Sequence, residues 1–160
     1  MDSTQQMPEV RYNISQASWR DLNALRELEK ICFPKDAWPL WDLVAVLTLP
    51  NVVRLKAEID GRFAGFIAAD IRTSEKLAWI ATIGVLPEFR NHGLGAALLE
   101  SCEKELSEIN RIRLCVRVSN DPAIHLYEQH GYSKIEIWPR YYSDHENALV
   151  MEKNFFERTG

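Results

Sequence analysis

Residues Trp79 to Leu99 read WIATIGVLPEFRNHGLGAALL. Trp79 to Val85 is a short apolar, β-branched run suited to a strand buried on both faces, and Pro87 ends it. Leu94, Leu98, Cys102 and Leu106 then recur at helical spacing, which predicts a helix over 93–109. Between strand and helix lies Arg90-Asn91-His92-Gly93-Leu94-Gly95. Two glycines entering a helix, with a basic residue just upstream, let several backbone N–H groups converge on an anion, and the positive end of the helix dipole adds to the attraction. The same Gly-x-Gly also serves as a tight turn with close helix packing. No Gly-Lys-Ser/Thr follows Gly95, which excludes a Walker A loop, and Leu98 stands where a dinucleotide fingerprint needs a small residue.

The rest of the chain supplies a single domain's worth of elements. Val10 to Ile14 alternates as a short edge strand, after a lead-in over 1–9 that reads as disordered. Ser18-x-x-Asp21 forms a capping box for a first helix with Leu22, Leu25, Leu28 and Cys32 on its inner side, ended by Pro34. A second short helix is expected from about Leu40 to Leu47. Val52 to Ile59 and Phe63 to Ile71 read as strands about an Asp60-Gly61 turn. Arg111 to Val118 alternates, with Ile112, Leu114, Val116 and Val118 on one face and Arg111, Arg113, Cys115 and Arg117 on the other. A helix follows with Asp121 as N-cap and Pro122 at its first position, stopping at Gly131. Strands over Ser133 to Trp138 and Ala148 to Lys153 complete the order βααβββαβαββ within a domain over 10–156, leaving a tail over 157–160.

With 160 residues and 46% hydrophobic content, the chain can bury a core without disulfides or a structural metal. Its three cysteines form no CxxC pair, so no metal site is expected. A net charge of −4 argues against non-specific binding to nucleic acid or to an anionic membrane, and suits a substrate with positive charge. No apolar run reaches the roughly 20 residues of a transmembrane helix, and the polar start lacks a signal-peptide layout, so a cytoplasmic location is expected.

The RxxGxG loop after a buried strand resembles the acetyl-CoA loop of the GNAT superfamily of N-acetyltransferases. A second segment, VRVSNDPAIHLYEQHGY over Val116 to Tyr132, carries the resemblance further, because Asn120, Ala123, Tyr127 and Gly131-Tyr132 stand at that superfamily's pantetheine and catalytic-acid spacing. Together with Arg140-Tyr141-Tyr142 and His145-Glu146, this run resembles the branch of RimI-type ribosomal-protein acetyltransferases, which modify protein N-termini. The resemblance covers roughly residues 11–153. It implies an α/β GNAT fold: a mixed, mostly antiparallel twisted sheet of about seven strands with helices on both faces. It also implies acetyl-CoA as co-substrate and no metal. The acceptor would be the N-terminus of a protein or peptide, a ribosomal protein among the candidates, and the enzyme would act as a monomer or a homodimer.

Carried over residue by residue, the resemblance assigns Arg90, Asn91, His92, Gly93, Leu94, Gly95 and Ala96 to the pyrophosphate. The backbone of Ile83, Gly84 and Val85 would pair with the pantetheine arm, and Asn120 would hold it from the other side. Tyr127 would stand by the sulfur as general acid; by periodicity alone it is equally a core tyrosine. Relatives place Glu or His at the position of Cys115, and some place Tyr where this chain has Trp79. Cys115 is then either a thiolate nucleophile or a small buried side chain, and a carboxylate, Glu146 or Glu29, would have to take the base's part. Phe33, Trp38, Trp41, Tyr141 and Tyr142 either wall a substrate groove or pack on the core. Acetylation of a small amine and non-catalytic sensing of acyl-CoA are the rival readings.

Overall fold

The computed structural model describes residues 10–155; the lead-in over 1–9 and the tail over 157–160 lie outside them. In chain order the elements are β1 (Tyr12–Gln16), α1 (Leu22–Cys32), α2 (Leu40–Thr48), β2 (Val52–Ile59), β3 (Arg62–Arg72), β4 (Leu77–Val85), α3 (Leu94–Glu105), β5 (Arg111–Arg117), α4 (Asp121–Gln129), β6 (Ser133–Trp138) and β7 (Ala148–Asn154). The expected order βααβββαβαββ is the observed one. The seven strands form one sheet in the order β1-β2-β3-β4-β5-β7-β6. Every pairing is antiparallel except β4 with β5. Among the described residues no helix is long and apolar enough to cross a membrane.

Strand alternation separates two cores. Ile67, Ala69, Ala78, Ile80, Ile112 and Leu114 turn to one face, where α3 covers them with Leu94, Leu98, Leu99 and Cys102. Phe66 and Ala68 turn to the other face, under Leu25 and Leu28 of α1 and Leu43, Val46 and Leu47 of α2. The helices therefore lie on both faces, each burying the apolar side that its 3.6-residue period defines.

Three element boundaries differ from those expected. The Ser18–Asp21 capping box forms, with Ser18 N–H donating to Asp21 Oδ2 at 2.9 Å, but it caps a single 3-10 turn over Trp19–Asp21 that leads into α1. α3 ends at Glu105, four residues short of the expected 109, and Leu106 N–H bonds back to Cys102 and Glu103. α4 is capped by Asn120 rather than Asp121: Ala123 N–H donates to Asn120 Oδ1 at 3.3 Å, and Asp121 is already helical.

Two glycines permit close packing at the centre. A Cβ on Gly65 would stand 3.0 Å from Leu98 Cδ1 and 3.1 Å from the Gly84 carbonyl oxygen. One on Gly84 would stand 3.1 Å from Leu28 Cδ2. Because a backbone carbonyl in a sheet cannot move aside, Gly65→Ala is expected to cost about 1–3 kcal/mol and to lower Tm by roughly 3–10 °C, measured by calorimetry at neutral pH.

Candidate active site

The parallel pairing of β4 with β5 runs from Leu77↔Arg111 to Ile80↔Leu114. Beyond it, β4 stays with β3 as far as Gly65↔Val85, while β5 stays with β7 as far as Arg117↔Ala148. The register of β3 with β4 jumps from Ala68↔Thr82 to Ala69↔Ile80, so Ala81 is an extra residue, a bulge that bends β4 where the two strands part. A cavity of about 190 Å³ opens in this split. Ile80, Ala81, Thr82 and Ile83 line one side of it, and Leu114, Cys115, Val116 and Arg117 line the other.

Glu29 of α1 and Tyr127 of α4 line this same cavity. Glu29 is 1% exposed. Thr82 Oγ1 donates to Glu29 Oε1 at 2.8 Å, and Glu29 Oε2 is the one buried side-chain polar atom without a partner among the described residues. Burial raises the Glu29 carboxyl above the usual range, and the Thr82 hydroxyl and the Trp38 backbone amide offset this only in part. Burial thus makes this carboxyl more basic than an exposed one, and one of its oxygens has no hydrogen-bond partner. Tyr127 is also buried, and desolvation raises its hydroxyl, so it keeps its proton at neutral pH.

The glycine loop follows β4 and leads into α3. Asn91 (φ 66) and Gly93 (φ 77) are both left-handed, and Gly93 caps α3 without a side-chain bond. Ala97 N–H is the first of the helix to bond back, to Gly93 O at 3.0 Å; in a helix that leaves the amides of Leu94, Gly95 and Ala96 without intrahelical partners. A Cβ on Gly95 would meet only Leu126, at an ordinary 3.4 Å, so helix packing does not require glycine there. Arg90, Asn91 and His92 are exposed beside these amides. Of the three backbone positions expected to face the pantetheine arm, only Ile83 lines the cavity. Gly84 packs under Leu28, and the Val85 carbonyl already accepts from Arg90 Nε (3.0 Å) and Cys32 Sγ (3.4 Å). Asn120 lines the cavity while its Oδ1 caps α4.

On the face of α1 and α2 the cavity continues into a groove of about 850 Å³. Trp38, Tyr141 and Tyr142 line it, and Phe33 lines the cavity itself. Trp41 does neither: it is 78% exposed on the outer side of α2, a correction to its expected place in the wall. Sequence reasoning missed Trp138 and Asp36 and took Trp79 only for a missing base. Trp79, Trp138 and Tyr141 pack in succession as tilted pairs at centroid distances of 5.8 and 5.4 Å, and Tyr142 meets Tyr141 edge-on at 5.1 Å. The alternation of β6, which puts Trp138 on this face, was the one available signal.

Two candidate groups lose their chemistry. The Cys115 thiol is pushed up to about 11 by burial, so it is protonated at neutral pH and serves neither as thiolate nor as base. Glu146 does not line the cavity; its Oε2 accepts from Ser119 N–H (3.0 Å) and its Oε1 from Arg117 (2.8 Å). Those bonds, Ser119's first, hold its carboxyl below the usual range and make it a poor base.

Comparison with known proteins agrees with this geometry. Residues 20–132 match the acetyltransferase (GNAT) family. An N-alpha-acetyltransferase of Sulfurisphaera tokodaii is 30% identical over 153 residues, covering 88% of this chain and 91% of that one. A putative ribosomal protein bS18-alanine N-acetyltransferase of Bacillus subtilis is 37% identical over 109 residues, or 66% of this chain and 71% of that one. The crystal structure of the ribosomal-protein-S18-alanine N-acetyltransferase from Escherichia coli superposes with a TM-score of 0.83 at 27% identity, over 91% of this chain and 94% of that one.

The raised Glu29 carboxyl makes stability depend on pH. The stability it contributes is complete below its ordinary value of 4.5 and is lost as pH rises through the folded value. Glu29→Gln removes that loss and keeps an oxygen for Thr82. Its Tm should exceed that of the unmodified chain at about pH 8, with the gap closing toward about pH 4.

Proposed function

From the premise that this chain belongs to the acetyltransferase (GNAT) family and is an acetyl-CoA-dependent N-acetyltransferase, we propose that its acceptor is the N-terminal α-amine of a protein or peptide. The observation that carries this reading is the split between β4 and β5, lined by Glu29 from one face of the sheet and by Tyr127 from the other. The glycine loop and the first-turn amides of α3 hold the pyrophosphate of acetyl-CoA. The pantetheine arm lies along Ala81 to Ile83, with Asn120 opposite. The acceptor approaches through the aromatic groove on the α1 and α2 face.

In the chemical step the amine nitrogen attacks the thioester carbon and the C–S bond breaks. The proton leaving nitrogen goes to Glu29 Oε2, directly or through a water molecule, and Tyr127 supplies the proton that the departing thiolate takes. The products are the acetylated amine and CoA thiol; Glu29 then returns a proton to Tyr127 by way of solvent.

A magnitude favours the α-amine. Neutralising an α-amine of pKa about 7.8 at pH 7 costs about 1.1 kcal/mol, whereas a lysine at about 10.4 costs about 4.6 kcal/mol. A single carboxyl acting as base suits the smaller of these two costs better. The names of the relatives, N-alpha-acetyltransferase and bS18-alanine acetyltransferase, support the same acceptor class. We place the reaction in the cytoplasm, where the three free thiols stay reduced.

Two peptides of one sequence decide the acceptor: one with a free N-terminus and no lysine, the other N-terminally blocked with one lysine. Mass spectrometry should find acetyl on the first alone; acetylated lysine would overturn the α-amine reading. Tyr127→Phe should lower kcat at least about tenfold with acetyl-CoA affinity unchanged, and Glu29→Gln should lower it about a hundredfold. Turnover equal to the unmodified chain would remove the residue concerned from the mechanism.

A further inference from the structure

Arg117 is the last residue of β5, at the mouth of the split, and its guanidinium meets three carboxylates. Nε and Nη2 donate to Asp36 at 2.8–3.0 Å, a bidentate pair with the loop between α1 and α2. Nη1 donates to both oxygens of Asp144 (3.0 and 2.9 Å) and to Glu146 Oε1 (2.8 Å), all in the loop between β6 and β7. The guanidinium also lies over the ring of Tyr142, 4.1 Å from its centroid. Asp36 and Tyr142 line both the cavity and the groove. Lys35 reaches Asp144 at 3.6 Å, a longer link made directly between the same two loops.

We propose that Arg117 is a positioning residue for the acceptor: one guanidinium fixes the distance between the two loops that wall the groove, and so sets its width for a peptide. This rests on the reading of the acceptor given above. The charge count supports it, since three carboxylates gathered about one cation would repel each other and part the loops if the cation were lost. Geometry supports it too. Arginine's planar fork can serve two carboxylate groups on different sides at once, which a lysine ammonium cannot reproduce. The guanidinium is 16% exposed and the carboxylates it meets are 23–38% exposed, so the pairs are partly shielded from solvent. Arg117 touches neither reacting carbon nor leaving sulfur in this scheme, so its effect falls on acceptor binding.

The test pairs steady-state kinetics on a free-N-terminus peptide with amide hydrogen exchange of the acetyl-CoA complex. Arg117→Gln should raise the peptide KM about tenfold or more, with kcat at saturating peptide within about threefold and the acetyl-CoA KM within about twofold. Amides over 33–39 and 139–147 should exchange faster together. Arg117→Lys should fall between Gln and the unmodified chain. Asp144→Asn combined with Glu146→Gln, which leaves the Asp36 pair in place, should loosen 139–147 alone. The proposal is overturned if exchange in both loops is unchanged, if Arg117→Gln loosens only one of them, or if the acetyl-CoA KM rises in step with the peptide KM. Should the unmodified chain acetylate no peptide, the acceptor reading fails, and the exchange data still decide whether Arg117 couples the loops.

Discussion

The short parallel ladder between β4 and β5 is the constraint on which the site depends. Four residue pairs hold the two halves of the sheet together, and the Ala81 bulge then turns β4 away from β5. A sheet that continued its pairing to the strand ends would leave no backbone unpaired and no opening through its middle. The break produces both. It exposes a strand edge inside the protein rather than at the rim, and it joins the face covered by α3 to the face covered by α1 and α2. One edge of a sheet is normally a hazard to be covered. Here the edge lines the cavity between the two strands.

The same opening explains why a carboxylate is tolerated with one oxygen unpartnered. Burial of Glu29 disfavours its charged form, and Thr82 satisfies one oxygen only. Removing the charge would stabilise the fold, so the residue is held at a cost to stability by the surroundings that make it basic. Tyr127 is raised by the same desolvation from the opposite side. Two groups with elevated proton affinity, one with an acceptor oxygen free and one keeping its proton, line the same cavity from opposite faces of the sheet. Around them the groove is shaped by two different forces. Packed rings from Trp79 to Tyr142 form a wall that needs no charge, and Arg117 joins the loops through charged hydrogen bonds.

Much of this was legible in the sequence because it is local. The strand, glycine loop and helix over 79–99, the Asp60-Gly61 hairpin and the alternation over 111–118 each declare themselves within a few residues, since turn chemistry and side-chain period act over that range. Tyr127 and Asn120 were singled out by the family resemblance of the run over 116–132, and both line the cavity. Trp41 was misplaced for the converse reason: an aromatic residue in an aromatic segment carries no sign of which way its helix will face. Glu29 and Glu146 were both carboxylates without a distinguishing neighbour in sequence. What separates them is Thr82, 53 positions from Glu29, and Arg117, 29 positions from Glu146.

By itself the sequence determined the order of elements and the strand, glycine loop and helix over 79–99, because periodicity and glycine placement are properties of short segments; the seven-strand sheet with helices on both faces was what the family resemblance implied. The tertiary structure alone decided where the sheet splits, which carboxylate is buried with a free oxygen and which is locked by arginine, and that Cys115 keeps its proton. Those outcomes depend on desolvation and on pairings between residues far apart in the chain, and neither quantity exists until the chain has folded around them.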